Sequence, residues 1–290
     1  MDGPRGARIS AEGLGLKGPR GWAFRGVDLQ AEPGSLIAVE GPSGSGRTCL
    51  LLALSGRMRT TEGSAEVDGL PLPRKLAAVR AISALGHVPG VNELDPALTV
   101  AEHLRERALM QSRFDGSLID LTRSLLRSRA DRRAGARRRI EEALEAAGLD
   151  PAALPKGDRT AIRDLERLEA LRLSVALALI GRPRLLAVDD TDLKLSAADR
   201  RAAWALLRSV AADGTTVLAV SSQAPPDATT VRTGVSAAPA PHSDDPVADR
   251  AESGDRDDDS AGTHEGTASE KNERDTQRGT SDALAEAGRA

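Results

Sequence analysis

The sequence predicts an α/β fold in which a mostly parallel sheet lies buried between helices, with a helical lobe set apart from it. Three observations carry that reading. Up to residue 224, short apolar runs alternate with helix-length segments, the order that builds a parallel sheet from strand–helix–strand units. The apolar 40% of the chain is mainly Leu, Ala and Val; its aromatics are Trp22, Phe24, Phe114 and Trp204, so the core is aliphatic, as suits a sheet covered on both faces. From Thr99 to Ala147 the pattern is helical throughout, enough for a lobe of its own.

Taken in order, residues 35–40 (SLIAVE) form a short apolar strand ending in a glycine loop, and 48–55 (TCLLLALS) a helix that starts at that loop. Residues 65–67, between Gly63 and Gly69, read as a hairpin strand, and 82–88 as another strand. A long helix is expected over 163–180, a buried strand over 185–188, a helix over 199–212 and a final strand over 215–221. No internal repeat is evident. The longest largely apolar run, 173–180, is far too short to span a membrane, and no charged-then-apolar leader pattern precedes Ile9.

Charge divides the chain. From Pro225 onward 15 acidic residues face 7 basic ones, a net of −8 against −3 for the whole chain, so the first 224 positions carry +5. The expected domain is therefore 1–224. Residues 225–290 read as a disordered acidic tail, rich in Ser, Thr, Asp, Glu, Gly and Pro and lacking a periodic apolar face; a marginal helix at 281–287 is possible. Such a tail is either an interaction or solubilising arm or an untethered extension. Eight arginines (123, 127, 129, 132, 133, 137, 138 and 139) are opposed within their run only by Asp131. They form a solvated helical face, or contact an acidic partner loop or anionic lipid. Nucleic acid is disfavoured, because nothing aromatic interleaves them to stack bases. The single cysteine, Cys49, excludes an internal disulfide and agrees with a reducing cytoplasm.

The decisive segment is Gly41-Pro42-Ser43-Gly44-Ser45-Gly46-Arg47-Thr48, which follows an apolar strand and opens a helix. Its glycines let backbone N–H groups curl around phosphates, and the helix N-terminus adds partial positive charge. Thr48 stands where a hydroxyl reaches magnesium. The motif expects lysine at 47, and here it is arginine, still a phosphate-binding cation but longer, planar and forked.

From this loop outward the sequence resembles the ATP-binding cassette (ABC) transporter family over about residues 9–223. The resemblance rests on residues 56–63 with Val67-Asp68-Gly69; on His87-Val88-Pro89 followed by 94–104; on Gly181-Arg182-Pro183 leading through 184–188 to Asp189-Asp190; and on 214–221. It implies an α/β P-loop NTPase core with a mostly parallel sheet, an N-terminal antiparallel β subdomain and a helical lobe at about 95–165. It further implies ATP and Mg²⁺ as cofactors, with Gly41, Ser43, Gly44, Ser45, Gly46, Arg47, Thr48 and Cys49 contacting nucleotide, and Thr48 and Asp189 serving the metal. The Cys49 thiol itself reads as a small packing group. Expected partners are a separate membrane permease and a second cassette, in a dimer at the inner face of the membrane; an intact second cassette is the more workable one.

Against the family's pattern, the catalytic glutamate is Asp190, one methylene shorter, and the glutamine after Val88-Pro89 is Gly90. The switch histidine after Ser221 is Ser222. The signature Leu-Ser-Gly-Gly-Gln falls on Leu165-Glu166-Arg167-Leu168-Glu169. Two carboxylates there oppose a facing γ-phosphate. The adenine-stacking aromatic is expected near Gly18, with Trp22 and Phe24 the candidates. These departures predict MgATP binding with weak or absent hydrolysis. The rival readings are a nucleotide-binding or nucleotide-free scaffold without transport coupling, and a small P-loop kinase.

Overall fold

The computed structural model describes residues 6–114, 129–192 and 194–234. Two sheets organise them. β1 (Ile9–Gly18), β2 (Gly21–Ala31), β4 (Glu62–Val67) and β5 (Leu70–Leu72) form an antiparallel sheet in the order β2-β1-β4-β5. β3 (Leu36–Glu40), β6 (Ser83–Leu85), β7 (Leu185–Val188), β8 (Thr216–Ser221) and β9 (Thr229–Arg232) form a parallel sheet in the order β6-β7-β8-β3-β9. The helices are α1 (Arg47–Leu54), α2 (Leu76–Ile82), α3 (Val100–Phe114), α4 (Arg129–Ala146), α5 (Arg167–Leu179) and α6 (Ala197–Ala212).

The continuous apolar runs of β3, β7 and β8 follow from burial on both faces, with side chains alternating between two cores. Leu36, Ala38, Leu186, Val188, Val217 and Ala219 point to a core shared with α3–α6 and Trp204. Ile37, Val39, Leu185, Ala187, Leu218 and Val220 point to the other, shared with α1, the antiparallel sheet and Phe24. The parallel sheet is thus the wall between two aliphatic cores, each holding one large aromatic.

Several boundaries differ from expectation; the hairpin strand starts at Glu62 and the helix expected from 199 starts at Ala197. The strand expected over 82–88 is shortened to β6: Ile82 ends α2, and Val88 turns into an isolated antiparallel bridge with Asn92. The helix expected from Arg163 starts at Arg167: 162–164 is a 3₁₀ turn, Glu166 is extended, and Glu169 Oε2 accepts the Glu166 N–H at 2.8 Å to close a capping box. The domain boundary at 224 also falls short. β9 pairs with β3, Val231 is buried in the core beside α1, and the Arg208 guanidinium grips Asp227 with two bonds of 2.5 and 2.9 Å. A lone valine between polar residues on an edge strand offers no apolar run to read. The expectations for residues 235–290 lie outside the described residues, as do Arg123 and Arg127.

The arginines of α4 find acids one turn on: Arg137 meets Glu141 at 3.0 Å, and Arg138 meets Glu142 at 3.4 Å. Arg182 adds a 2.6 Å pair with Glu142. This helical i,i+4 pairing favours the solvated-face reading for that stretch. No helix among the described residues is long and apolar enough to cross a membrane.

Candidate functional site

The loop 41–46 joins the C-terminal end of β3 to the start of α1. Gly44 and Gly46 both have φ near 80°, the left-handed region that costs a side-chain-bearing residue about 1–2 kcal/mol. A Cβ on Gly46 would also collide with the Ala23 carbonyl of β2, so glycine is required there twice over. Gly46 is the N-cap of α1, offers no side chain to cap it, and no acid lies in the first turn. The Leu50 N–H donates to Gly46 C=O at 2.9 Å, which leaves the N–H groups of Arg47, Thr48 and Cys49 ahead of the ladder. By contrast, α3 opens on a reciprocal Thr99–Glu102 cap, α5 on its Glu166–Glu169 box and α6 on Ser196 with Asp199. The N-terminus of α1 is open to an anion.

Opposite the loop stands the end of β7. Thr48 Oγ1 donates to Asp189 Oδ2 at 2.5 Å, while Asp189 Oδ1 accepts the Asp190 N–H at 2.8 Å. The Asp189 N–H donates to His87 C=O at 2.8 Å, fixing this buried carboxylate from the backbone side. Asp190 follows in a left-handed conformation, φ 48°. Burial pushes its carboxyl above the usual aspartate range and Asp189 pushes the same way, while Arg47 and His87 pull it partly back. The Arg47 guanidinium donates to Ser221 C=O at 2.9 Å, lying across the mouth of the sheet at the end of β8. Ser222, next along, gives both its N–H (2.9 Å) and its hydroxyl to Asp192.

A cleft of about 520 Å³ opens between the loops after β6 and β7 and the start of α5, with His87, Glu93, Asp190, Lys194 and Arg167 on its walls. Gly90, next to the lining residue Pro89, has φ 70° and donates its N–H to Glu93 Oε1 at 2.7 Å. Phe24 is fully buried and unavailable for stacking. The Trp22 ring is half-buried over Gly15, with Arg25 at 4.6 Å and Lys17 at 5.5 Å from its centroid. Burial pushes the Cys49 thiol up, with Asp189 adding to it, which leaves Cys49 an unreactive packing group.

The structure thus brings the 41–48 loop, through Arg47 and Thr48, against the ends of β8 and β7, where Asp189 and Asp190 stand. Ser43 is exposed on the loop, while Ser45 turns inward, its hydroxyl buried against Thr233 at 2.7 Å. The sequence reading missed Thr233 and Asp192, and it quoted His87 in a motif without giving it a role at the site. Asp192 lies two residues past Asp190 and His87 opens its motif, so proximity could have flagged both; Thr233 had no signal in its surroundings.

The family model described as "ABC transporter" matches residues 24–192, more than half of the chain. The chain is 32% identical over 192 residues to the Nod factor export ATP-binding protein I of Cupriavidus pinatubonensis (strain JMP 134 / LMG 1197), covering 66% of this chain and 51% of that relative. It is similarly 32% identical to the protein of that name from Cupriavidus metallidurans (strain ATCC 43123 / DSM 2839 / NBRC 102507 / CH34), covering 66% and 55%. It therefore spans about half the length of these curated relatives. Among solved structures, the fold is similar to the dimeric structure of MJ0796, a bacterial ABC transporter cassette, with a TM-score of 0.56 at 21% identity, covering 74% of this chain and 88% of that one. With the two-sheet cassette architecture, the glycine loop at the end of β3 and the family match across both walls of the site, the chain belongs to the ABC transporter family.

Proposed function

We propose that this chain is the ATP-binding subunit of an ABC-type transporter, which takes MgATP at the 41–48 loop and hydrolyses it weakly or not at all. The observation that supports binding is the uncapped N-terminus of α1 facing the Thr48–Asp189 pair. The loop and helix N–H groups would hold the phosphates, and Arg47 would add a cation once it leaves Ser221. Thr48 Oγ1 and Asp189 are hard oxygen donors already side by side, a set that suits Mg²⁺ held by few protein ligands together with phosphates. When bound, Mg²⁺ neutralises charge on the phosphate oxygens.

Weak hydrolysis follows from the surroundings. Asp190 is a short carboxylate, and a group withdrawn by about an ångström costs on the order of a hundredfold in rate. Ser222, in the place of the switch histidine, is occupied by Asp192. Gly90 has no side chain to orient water. The start of α5, which in the family clasps a facing γ-phosphate, is closed by its own carboxylates. A copy of this chain therefore makes a poor facing subunit, and pairing with an intact cassette is the workable arrangement. A separate permease is the expected membrane partner, which places the chain on the cytoplasmic face of the membrane. A non-transport pseudo-ATPase scaffold is the second reading, supported by the Arg47–Ser221 contact, which gives the loop's cation a partner within the protein.

Steady-state phosphate release tests the assignment. Wild type should run far below about 1 s⁻¹, the low end of ordinary enzymes. The triple variant Arg47→Lys, Asp190→Glu, Ser222→His should gain little, because residues acting as a unit are non-additive. Adding Glu166→Ser, Arg167→Gly and Leu168→Gly should raise the rate further. A wild type already at about 1 s⁻¹ sinks the account of these substitutions. Co-purification with a permease from membranes separates the transport reading from the scaffold.

A further inference from the structure

The phosphate loop is built from both ends of the described chain. Thr233, just past β9, donates its N–H to Glu40 C=O at 2.8 Å, at the last residue of β3 before the loop. Its hydroxyl meets the Ser45 hydroxyl at 2.7 Å and lies 3.4 Å from Glu40 C=O, so it can accept from Ser45 while donating to Glu40. Both residues are buried, Ser45 at 7% exposure and Thr233 at 2%. Gly41 makes room for this: a Cβ there would stand 2.5 Å from Ser45 Oγ and 2.6 Å from Thr233 Oγ1. Ser45 is flanked by Gly44 and Gly46, both at φ 80°, so little in the local backbone fixes the turn between them. The turn contributes only the Ser45 N–H to Pro42 C=O bond, at 3.1 Å. The anchor for its centre comes from 188 residues away.

We propose that Thr233 is a positioning residue for the phosphate loop: through the Ser45 hydroxyl it holds the backbone N–H groups of 43–47 in the curl that an anion needs. The proposal rests on the reading of that loop as the nucleotide site. Without the Thr233 hydroxyl, the Ser45 hydroxyl is left buried with no partner, and the loop relaxes to satisfy it. The arrangement makes β9 part of the site, since the strand delivers Thr233 to the loop through its register with β3.

The test uses the full chain and the variants Thr233→Val, Thr233→Ser, Ser45→Ala and Ser45→Ala/Thr233→Val. Amide hydrogen exchange is read without nucleotide, and MgATP affinity by calorimetry. Thr233→Val, nearly isosteric, should speed exchange of the amides of 43–47 while leaving β1 and β2 unchanged. It should also weaken MgATP binding by about fivefold to tenfold, the loss expected for one buried hydrogen bond. Thr233→Ser should restore both, and Thr233→Val should add less than about twofold on top of Ser45→Ala, because the two act through one contact. Unchanged loop exchange in Thr233→Val overturns the proposal, as does unchanged affinity despite faster exchange, or a serine variant as weak as the valine. If wild type takes up no MgATP at millimolar concentration while loop exchange still responds to Thr233→Val, the nucleotide reading falls and the positioning stands.

Discussion

Truncation at the two candidate domain ends separates the sequence boundary from the structural one. A chain ending at Ala224 loses β9, the Arg208–Asp227 pair and the Thr233 contacts; a chain ending at Gly234 keeps them all. The Arg208–Asp227 pair is half exposed on both sides and contributes little. The β3–β9 ladder bonds, each worth about 0.5–1.5 kcal/mol net, are offset by the ordering entropy of the four strand residues. The remainder is apolar burial: Val231 at 5% exposure, plus the flanks of Ile37 and Val39 that become a bare edge. That burial comes to about 3 kcal/mol. For a domain of this size the loss lowers Tm by about 6–12 °C. Thermal unfolding of both truncations beside the full chain measures it. The 234-residue chain should match the full chain; a difference between the truncations below about 3 °C would refute the claim that β9 belongs to the core.

Other outcomes follow from the same geometry. Gly46→Ala forces a Cβ against the Ala23 carbonyl in a left-handed residue, and should weaken MgATP binding by at least about tenfold in calorimetry. Asp190→Asn tests the raised carboxyl, and asparagine tolerates the left-handed backbone equally well. Because folding raises its pKa, ionised Asp190 subtracts stability above its native titration range and nothing below the unfolded one. Asp190→Asn should therefore raise Tm near pH 7, and the advantage should vanish toward about pH 3, as thermal scans across pH would show.

What the sequence made legible was contiguous. β3, β7 and β8 announce themselves through unbroken apolar runs, and the 41–48 loop because its glycines, Arg47 and Thr48 sit side by side. β9 was hidden because an edge strand needs one buried residue, and Val231 stands alone among Thr229, Thr230 and Arg232. The start of α5 was hidden because its N-cap is Glu166, outside the Ser/Thr/Asp/Asn set that normally marks a helix start. Thr233 could not be read at all, since its partner lies 188 residues back and only the β3–β9 register brings them together.

Two helix N-termini of this chain are finished in opposite ways, at α1 and at α5. At α1 the cap is glycine in a left-handed turn, the first turn has no acid, and the donors remain available to an incoming phosphate. At α5 the same kind of end is consumed by the protein itself: Glu169 accepts the Glu166 N–H, and two carboxylates replace the partial positive charge with full negative charge. On the proposed function, the first end would serve a nucleotide bound to this chain; the second, by family resemblance, would serve a nucleotide bound to a facing chain. In a symmetric pair each nucleotide would meet one open end and one acidic end, and the γ-phosphate would be repelled across the interface. An intact partner removes that repulsion at the site formed by this chain's loop, but leaves it at the other, where the partner's nucleotide faces Glu166. If the proposed function holds, this charge arrangement would favour asymmetric occupancy, with nucleotide held at this chain's loop and excluded or loosely held at the partner's.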